Sequence, residues 1–193
     1  NKMTKKTYVV GNNVSKSLSP TIFNYWFKKY NIDGKYGYLE IKNDKLLEKE
    51  ILNFVLFDKE IVGFNVTIPY KEKIFSVLGS KKHKLVLSNH CQNIGATNFI
   101  NIAQKPDSNP RSLYLEADNT DIQGFEVPLT KQKNLLKNKA IVIGFGGASK
   151  AIIYSLILQG FKNINIFNRS FEKLIKGLDD WRKKIYLPIH GYQ

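Results

Sequence analysis

Hydrophobic and polar positions follow two alternating periods along the chain, and this alternation predicts an α/β fold. Short runs rich in β-branched and aromatic residues are typical of strands, and they cover residues 7–11, 35–41, 63–68, 96–102, 112–117, 139–144 and 163–167. Apolar residues three and four apart predict helices over residues 19–31, 43–55, 69–78, 81–88, 121–136 and 148–159. Strands and helices that alternate in this way favour mostly parallel sheets.

The pattern changes character near residue 138, where we predict a domain boundary. Residues 139–144 form a continuous apolar run, as expected for a strand buried on both faces. A glycine-rich loop, a helix and a second strand follow and complete one βαβ unit. We therefore expect an N-terminal α/β domain over residues 1–121, a connecting helix over 122–138 and a second α/β domain over 139–193.

The chain is basic, with 30 Lys and Arg against 16 Asp and Glu and a formal net charge of +14. Such a charge is compatible with nucleic acids, membrane surfaces and small anions. The lysines are scattered and form no long basic stripe, and no apolar run reaches the roughly 20 residues that cross a bilayer. We therefore expect a small anionic ligand and neither a nucleic-acid nor a membrane partner.

Cysteine and histidine usage narrows the chemistry further. A single cysteine, Cys91, excludes an intramolecular disulfide and fits a reducing, cytoplasmic location. The three histidines lack the close pairing of a zinc site, so no metal is expected. The sequence offers neither a Ser-His-Asp triad nor a catalytic thiol arrangement, which disfavours a hydrolase.

A glycine-rich loop joins the predicted strand at 139–144 to the predicted helix at 148–159. Gly144 allows a tight turn, and Gly146 allows backbone N–H groups to approach a pyrophosphate. The helix that follows supplies partial positive charge at its N-terminus. We therefore predict a Rossmann-type cofactor domain in which Gly144, Gly146, Gly147 and Ala148 bind a dinucleotide.

The end of the next predicted strand indicates which dinucleotide is bound. Domains that bind NAD usually carry an Asp or Glu there, which accepts hydrogen bonds from the ribose hydroxyls. This chain has Asn168, Arg169 and Ser170 instead, with Lys173 one turn later. A guanidinium binds a 2′-phosphate through two hydrogen bonds, whereas an acid repels it. The sequence therefore predicts NADP as the cofactor.

Polar residues also follow predicted strands in the N-terminal half. Ser17 and Ser19 flank a helix start, where their hydroxyls suit a carboxylate ligand, although Ser19 alone is also a plausible N-cap. Asn65 and Thr67 alternate with apolar residues, so we expect their side chains on one face of the sheet. Each of these positions lies near a strand end, where open α/β sheets bind their ligands.

Three further residues are candidates for acid–base chemistry. Lys71 falls in the first turn of a predicted helix, where it is either a proton donor and acceptor or an ordinary solvated lysine. Asp121 either caps the following helix or, if close to Lys71, orients its ammonium group. Asn98 adds an amide that can bind hydroxyl groups.

Taken in order, these segments resemble the shikimate dehydrogenase family. The resemblance rests on six segments: Ser17 to Pro20, Asn65 to Lys71, Gly95 to Asn98, Asp118 to Asp121, Gly144 to Ala148 and Asn168 to Ser170. It implies an N-terminal substrate domain, a C-terminal Rossmann domain that binds NADP, and catalysis in the cleft between them. The implied reaction is the reversible reduction of 3-dehydroshikimate to shikimate by NADPH, in the biosynthesis of chorismate and the aromatic amino acids.

The resemblance also implies a role for each polar candidate. Ser17 and Ser19 would hold the substrate carboxylate. The ring hydroxyls would be held by Thr67, Lys71, Asn98 and Asp121. Lys71 and Asp121 would form the catalytic pair, in which Lys71 exchanges a proton with the reacting oxygen. The adenosine 2′-phosphate would be bound by Arg169, Ser170 and Lys173, next to Asn168.

Several features depart from the family pattern or leave alternatives open. Lys16, Phe99 and Ile122 stand where the family often has His, Thr and Gly. Compared with the family, we expect the Rossmann domain to be incomplete after Ser170 and a polypeptide ending at Gln193 to be inactive. The alternatives are an NAD-preferring quinate/shikimate dehydrogenase and a non-catalytic protein that kept the shikimate pocket. Either a monomer or a homodimer is compatible with the sequence.

Overall fold

The computed structural model describes residues 4–78, 84–103, 114–132, 135–183 and 189–192. The chain divides into two compact units. The first unit contains Asn1–Ser88 and Thr97–Asp118, and the second contains Asn89–Ala96 and Asn119–Gln193. The segment expected to be a connecting helix therefore groups with the second unit.

The described strands of the first unit form one six-stranded mixed sheet in the order β2-β1-β3-β5-β6-β4. Their bounds are Lys5–Gly11 (β1), Gly34–Glu40 (β2), Ile61–Val66 (β3), Lys84–Leu87 (β4), Phe99–Ala103 (β5) and Tyr114–Asp118 (β6). β1 is parallel to β2 and β3, and β4 is parallel to β6. The expected α/β class is confirmed, while β5 is antiparallel to both of its neighbours.

The helices of the first unit are Ser19–Lys29 (α1), Leu47–Phe57 (α2) and Lys71–Leu78 (α3), with a 3₁₀ turn at Asp44–Leu46 before α2. The predicted apolar face of α2 is buried at Leu47, Ile51 and Val55. It packs with α3 over the sheet, in a core that also includes Phe64 and Ile100. Burial of such side chains stabilises the unit by about 1.5–3 kcal/mol each.

The described strands of the second unit form a parallel sheet in the order β7-β8-β9, at Ala140–Ile143, Ile164–Phe167 and Ile189–Tyr192. Its helices are Asn89–Ile94 (α4), Asp121–Thr130 (α5), Gly147–Leu158 (α6) and Phe171–Arg182 (α7). The predicted βαβ unit is confirmed as β7-α6-β8. A separate core, which includes Ile153, Ile166 and Leu178, holds these elements together.

Two predicted helices differ in the structure. Residues 81–88 were expected to be helical, but Lys84–Leu87 form β4 and pair with Tyr114–Ala117, while residues 79–83 lie outside the described ranges. A run this short is decided by its neighbours, and the edge of a sheet offers it hydrogen-bond partners. The helix expected to reach residue 136 ends at Thr130. It contains Pro128, which lacks the N–H that an interior helical residue donates.

Within the described ranges, no helix combines the length and the apolar content that a bilayer crossing requires.

Candidate functional site

Several strands of the first unit reach the same edge of the sheet. β1 and β3 are parallel, so their carboxyl ends, Gly11 and Val66, lie at one edge. β5 runs in the opposite direction, and its first residue, Phe99, therefore lies at that edge too. The predicted site residues flank these strand ends along the chain: Ser17, Ser19, Thr67, Lys71 and Asn98. Ligands of open α/β sheets bind at such an edge.

Gly11 allows two of these segments to approach each other closely. A Cβ atom added at Gly11 would lie 2.6 Å from Cγ2 of Thr67 and 2.7 Å from Cγ1 of Val14. Thr67 is also tied to β1, because its backbone N–H donates to the Val10 carbonyl at 2.9 Å. Thr67, which follows β3, is thus held against the loop that follows β1.

The loop of residues 12–18, here called the serine loop, is connected to the start of α1 by hydrogen bonds. The Ser17 N–H donates to the Val14 carbonyl at 2.9 Å, and Ser17 Oγ accepts the Ser19 N–H at 3.2 Å. Ser19 is the first residue of α1, and the N-cap position belongs to Leu18. The alternative that Ser19 is the N-cap is therefore wrong. Ser17 and Ser19 are both partly buried at the start of α1.

The turn before α3 places Lys71 at the start of that helix, as predicted. Tyr70 is fully buried, and its hydroxyl donates to the Ile41 carbonyl at 2.5 Å. The Tyr70 N–H donates to the Thr67 carbonyl, and the Lys71 carbonyl accepts the Thr97 N–H, each at 2.9 Å. These bonds fix the backbone on both sides of Lys71. Sequence reasoning missed the positioning role of Tyr70, because its burial depends on elements distant along the chain.

Asn98 is buried next to the same turn. Its carbonyl accepts the Val66 N–H at 2.8 Å and the Asn65 side-chain amide at 3.3 Å. The Tyr36 hydroxyl donates to Asn65 Oδ1 at 2.8 Å, and burial raises the pKa of Tyr36, which keeps this donor protonated. Asn65 of β3 therefore links β2 to Asn98, and these hydrogen bonds fix the position of Asn98.

Asp121 lies in the second unit, as the first residue of α5. Its backbone N–H donates to Asn119 Oδ1 at 3.1 Å, and the buried Asn119 amide donates to the Ala96 carbonyl at 3.2 Å. The N-cap is Thr120 and has no side-chain cap bond. Asp121 is thus not the N-cap residue of α5, and the turn is held by Asn119, which the sequence indicated only as part of the segment Asp118 to Asp121.

The glycine loop of the second unit has the conformation that its sequence predicts. Gly144 adopts a φ of +102°, which L residues rarely adopt, and its N–H donates to the Phe167 carbonyl at 2.7 Å. Gly146 is the N-cap of α6, and a Cβ added there would meet nothing within 4 Å. The backbone of Gly146 at the helix N-terminus is therefore open to a ligand. Gly147 and Ala148 form the first turn of α6.

A pocket of about 450 Å³ lies at the ends of β7 and β8. It is lined by Ile143, Gly144, Phe167, Asn168 and Arg169. The Asn168 side-chain amide donates to the Ser170 carbonyl at 2.8 Å, which holds the turn before α7, and Arg169 is exposed. The structure thus brings the glycine loop and the predicted phosphate-binding turn to one pocket. Ser170 is the N-cap of α7 and Lys173 lies exposed in its first turn.

The buried side chain of Phe145 anchors the glycine loop. Its ring lies edge-on to Trp181 of α7, with 5.8 Å between the ring centroids. A Cβ added at Gly177, on the same helix, would overlap the Phe145 ring. The glycine at position 177 therefore provides the space for this anchor, which the sequence pattern did not reveal.

No group of three or more His, Cys, Asp or Glu side chains among the described residues is arranged to hold a metal ion.

Comparison with known proteins adds a family relationship. Residues 9–100 match the family of the shikimate dehydrogenase substrate binding domain. A protein of Caldicellulosiruptor bescii named shikimate dehydrogenase (NADP(+)) is 36% identical over 173 residues, which cover 89% of this chain and 55% of that protein. The chain thus spans about half the length of this curated relative.

Solved structures resemble the whole chain. Shikimate dehydrogenase from Aquifex aeolicus has a TM-score of 0.78 and 29% identity, covering 100% of this chain and 64% of its own. Shikimate 5-dehydrogenase from Listeria monocytogenes, solved with shikimate and NAD, has a TM-score of 0.77 and 25% identity, covering 100% and 62%.

Proposed function

This chain belongs to the shikimate dehydrogenase family, and on that premise we propose that its protein catalyses the NADP-dependent, reversible reduction of 3-dehydroshikimate to shikimate. The observation that carries the proposal is the convergence of strand ends in the first unit. There the segments bearing Ser17, Thr67, Lys71 and Asn98 meet at one edge of the sheet. We further propose residues 1–121 as the substrate domain and residues 139–193 as part of the cofactor domain.

The polar groups at that edge suit a small polyhydroxy acid. The hydroxyls of Ser17 and Ser19 stand at the start of α1, where N–H groups and the helix dipole favour an anion. We assign them to the substrate carboxylate. Thr67, Lys71, Asn98 and Asp121 are assigned to the ring oxygens, since hydroxyl, ammonium, amide and carboxylate groups together offer both donors and acceptors.

Lys71 and Asp121 are proposed as the catalytic pair. When bound, NADPH supplies the hydride that the carbonyl carbon of 3-dehydroshikimate accepts. Lys71 donates a proton to the oxygen of that carbonyl, which becomes the hydroxyl of shikimate, and recovers a proton from solvent. Asp121, the first residue of α5, is proposed as the partner of Lys71 in this pair.

The second unit offers what an NADP molecule requires. The open backbone at Gly146 and the start of α6 suit the pyrophosphate. Arg169 lines the neighbouring pocket and is assigned, with Ser170 and Lys173, to the 2′-phosphate. The relative from C. bescii is named for NADP, which supports this choice over NAD.

Two alternatives compete with this proposal. The Listeria structure was solved with NAD, so an NAD-preferring shikimate or quinate dehydrogenase is the second candidate. A non-catalytic shikimate-binding protein is the third, and the presence of both Lys71 and Asp121 argues against it. We keep the predictions of a cytoplasmic location and of a monomer or homodimer.

The test is the oxidation of NADPH by the full-length protein in the presence of 3-dehydroshikimate. Replacement of Lys71 by Met removes the proton donor, and we expect kcat to fall by about 10²- to 10⁴-fold. The matched control is Lys73→Met, because Lys73 lies on the same helix but pairs with Asp44. Equal activity of wild type and Lys71→Met, with NADP binding intact in both, would exclude Lys71 from the chemistry.

A further inference from the structure

The carboxylate of Glu40 holds the backbone of the serine loop. Glu40 is the last residue of β2, and its Oε2 accepts the N–H groups of Val14 and Ser15, each at 3.2 Å. Only 19% of the Glu40 side chain is exposed. We propose that Glu40 is a positioning residue that sets the affinity for the substrate carboxylate through the serine loop. This inference rests on the proposed function.

A short chain of hydrogen bonds leads from Glu40 to the two serines. Glu40 fixes the Val14 N–H, the Val14 carbonyl accepts the Ser17 N–H, and Ser17 Oγ accepts the Ser19 N–H. Val14 is also buried against Val9 and Tyr36, which anchors the same residue by packing. A change at Glu40 therefore reaches Ser17 through one further hydrogen bond and the backbone of Ser19 through two, without any contact between Glu40 and the ligand.

A negative charge close to an anion site requires compensation, and the structure provides it. Lys42 Nζ lies 3.4 Å from Glu40 Oε1, while the two N–H groups occupy Oε2. The Ser15 N–H is the main reason that the pKa of Glu40 is lowered, so the carboxylate is ionised at neutral pH. Hydrogen bonds to a charged group are roughly twice as strong as those between neutral groups.

A positioning role and a purely structural role predict different ligand dependence. If Glu40 merely stabilises the first unit, its replacement weakens the binding of every ligand of that unit equally. If Glu40 positions Ser17 and Ser19, its replacement weakens the binding only of ligands that carry the carboxylate. The discriminating probe is the shikimate analogue in which the carboxylate is reduced to a primary alcohol, because that analogue leaves the serine hydroxyls without an anionic partner.

The experiment compares Glu40→Gln and Glu40→Ala with wild type in the full-length protein. We expect Glu40→Ala to raise the Kd of shikimate about tenfold, as the loss of roughly one charge-assisted hydrogen bond implies. Glu40→Gln keeps the shape, and we expect it to have a smaller effect in the same direction. The Kd of the alcohol analogue and of NADP, and kcat, should change by less than about twofold.

Glu48→Gln is the matched control, since Glu48 is an exposed carboxylate on α2 of the same unit. Equal losses for shikimate and for its alcohol analogue, or no loss for either in both Glu40 variants, would overturn the role of Glu40. Failure of the wild type to bind shikimate would instead overturn the proposed function. If Glu40→Ala does not fold, the Kd values of shikimate and of its alcohol analogue in Glu40→Gln decide whether Glu40 positions the serines.

Discussion

At the scale of single residues, we propose that Arg169 determines which of the two nicotinamide dinucleotides is bound. We expect Arg169→Ala to raise the Kd of NADP by about 10- to 100-fold, because a charge-assisted contact contributes about 1.5–3 kcal/mol. The Kd of NAD should change by less than about threefold, since NAD lacks the 2′-phosphate. Isothermal titration of both cofactors measures the two ratios.

Arg182→Ala provides the control for this change. Arg182 is the exposed last residue of α7, the helix that Arg169 precedes, and it pairs with Asp179 at 3.1 Å. The substitution Arg182→Ala removes the same charge from the second unit as Arg169→Ala does. Any general electrostatic effect on phosphate binding therefore appears in both variants. Equal weakening of NADP and NAD by Arg169→Ala would contradict the assignment.

Residue roles were predictable where they depend on local sequence. The φ of +102° at Gly144 follows from the tight turn that the glycine loop requires, and Lys71 begins its helix as expected. The roles of Glu40 and Tyr70 were not predictable, because each depends on a backbone partner 25 or more residues away. A side chain that bonds to distant backbone leaves no periodic signal in the sequence.

At the scale of elements, the sequence pattern was informative wherever it was long or strongly apolar. The buried run at 139–144 and the helix after it appear as β7 and α6. Lys84–Leu87, by contrast, form a short strand that pairs with β6, a partner distant along the chain. The direction of β5 was also not predictable, since periodicity alone does not indicate whether neighbouring strands pair in parallel or antiparallel. The short helix α4 and the elements α7 and β9 were not predicted.

The packing of the glycine loop on α7 gives a prediction for Gly177. We expect Gly177→Ala to lower the free energy of unfolding of the second unit by about 1–3 kcal/mol, because the added methyl group overlaps the Phe145 ring. Displacement of Phe145 should move the glycine loop and raise the Kd of NADP. Thermal unfolding and cofactor titration measure the two effects.

Gly124→Ala is the matched control, because Gly124 lies in helix α5 and a Cβ added there meets nothing within 4 Å. Alanine is favoured over glycine in helices by about 0.5–1 kcal/mol, so this variant should be neutral or more stable. An equally neutral Gly177→Ala would mean that the Phe145 anchor does not constrain the loop.

At the scale of the whole molecule, each unit has its own hydrophobic core. The core under α2 and α3 contains residues of the first unit, and the core around α6 and α7 contains residues of the second. The proposed ligands divide in the same way, with the serine loop in the first unit and the glycine loop in the second. A ligand that binds the folded form stabilises it by about 2.7 kcal/mol at a hundredfold excess over its Kd.

Each ligand should therefore stabilise mainly the unit that carries its principal binding groups. In hydrogen exchange at increasing urea, we expect shikimate to raise the opening free energy of β1 and β3, and NADP to raise that of β7 and β8. Arg169→Ala should remove the NADP effect and leave the shikimate effect intact. If shikimate protected only β7 and β8, the serine loop would not be its binding site, and the assignment of Ser17 and Ser19 to the carboxylate would fail.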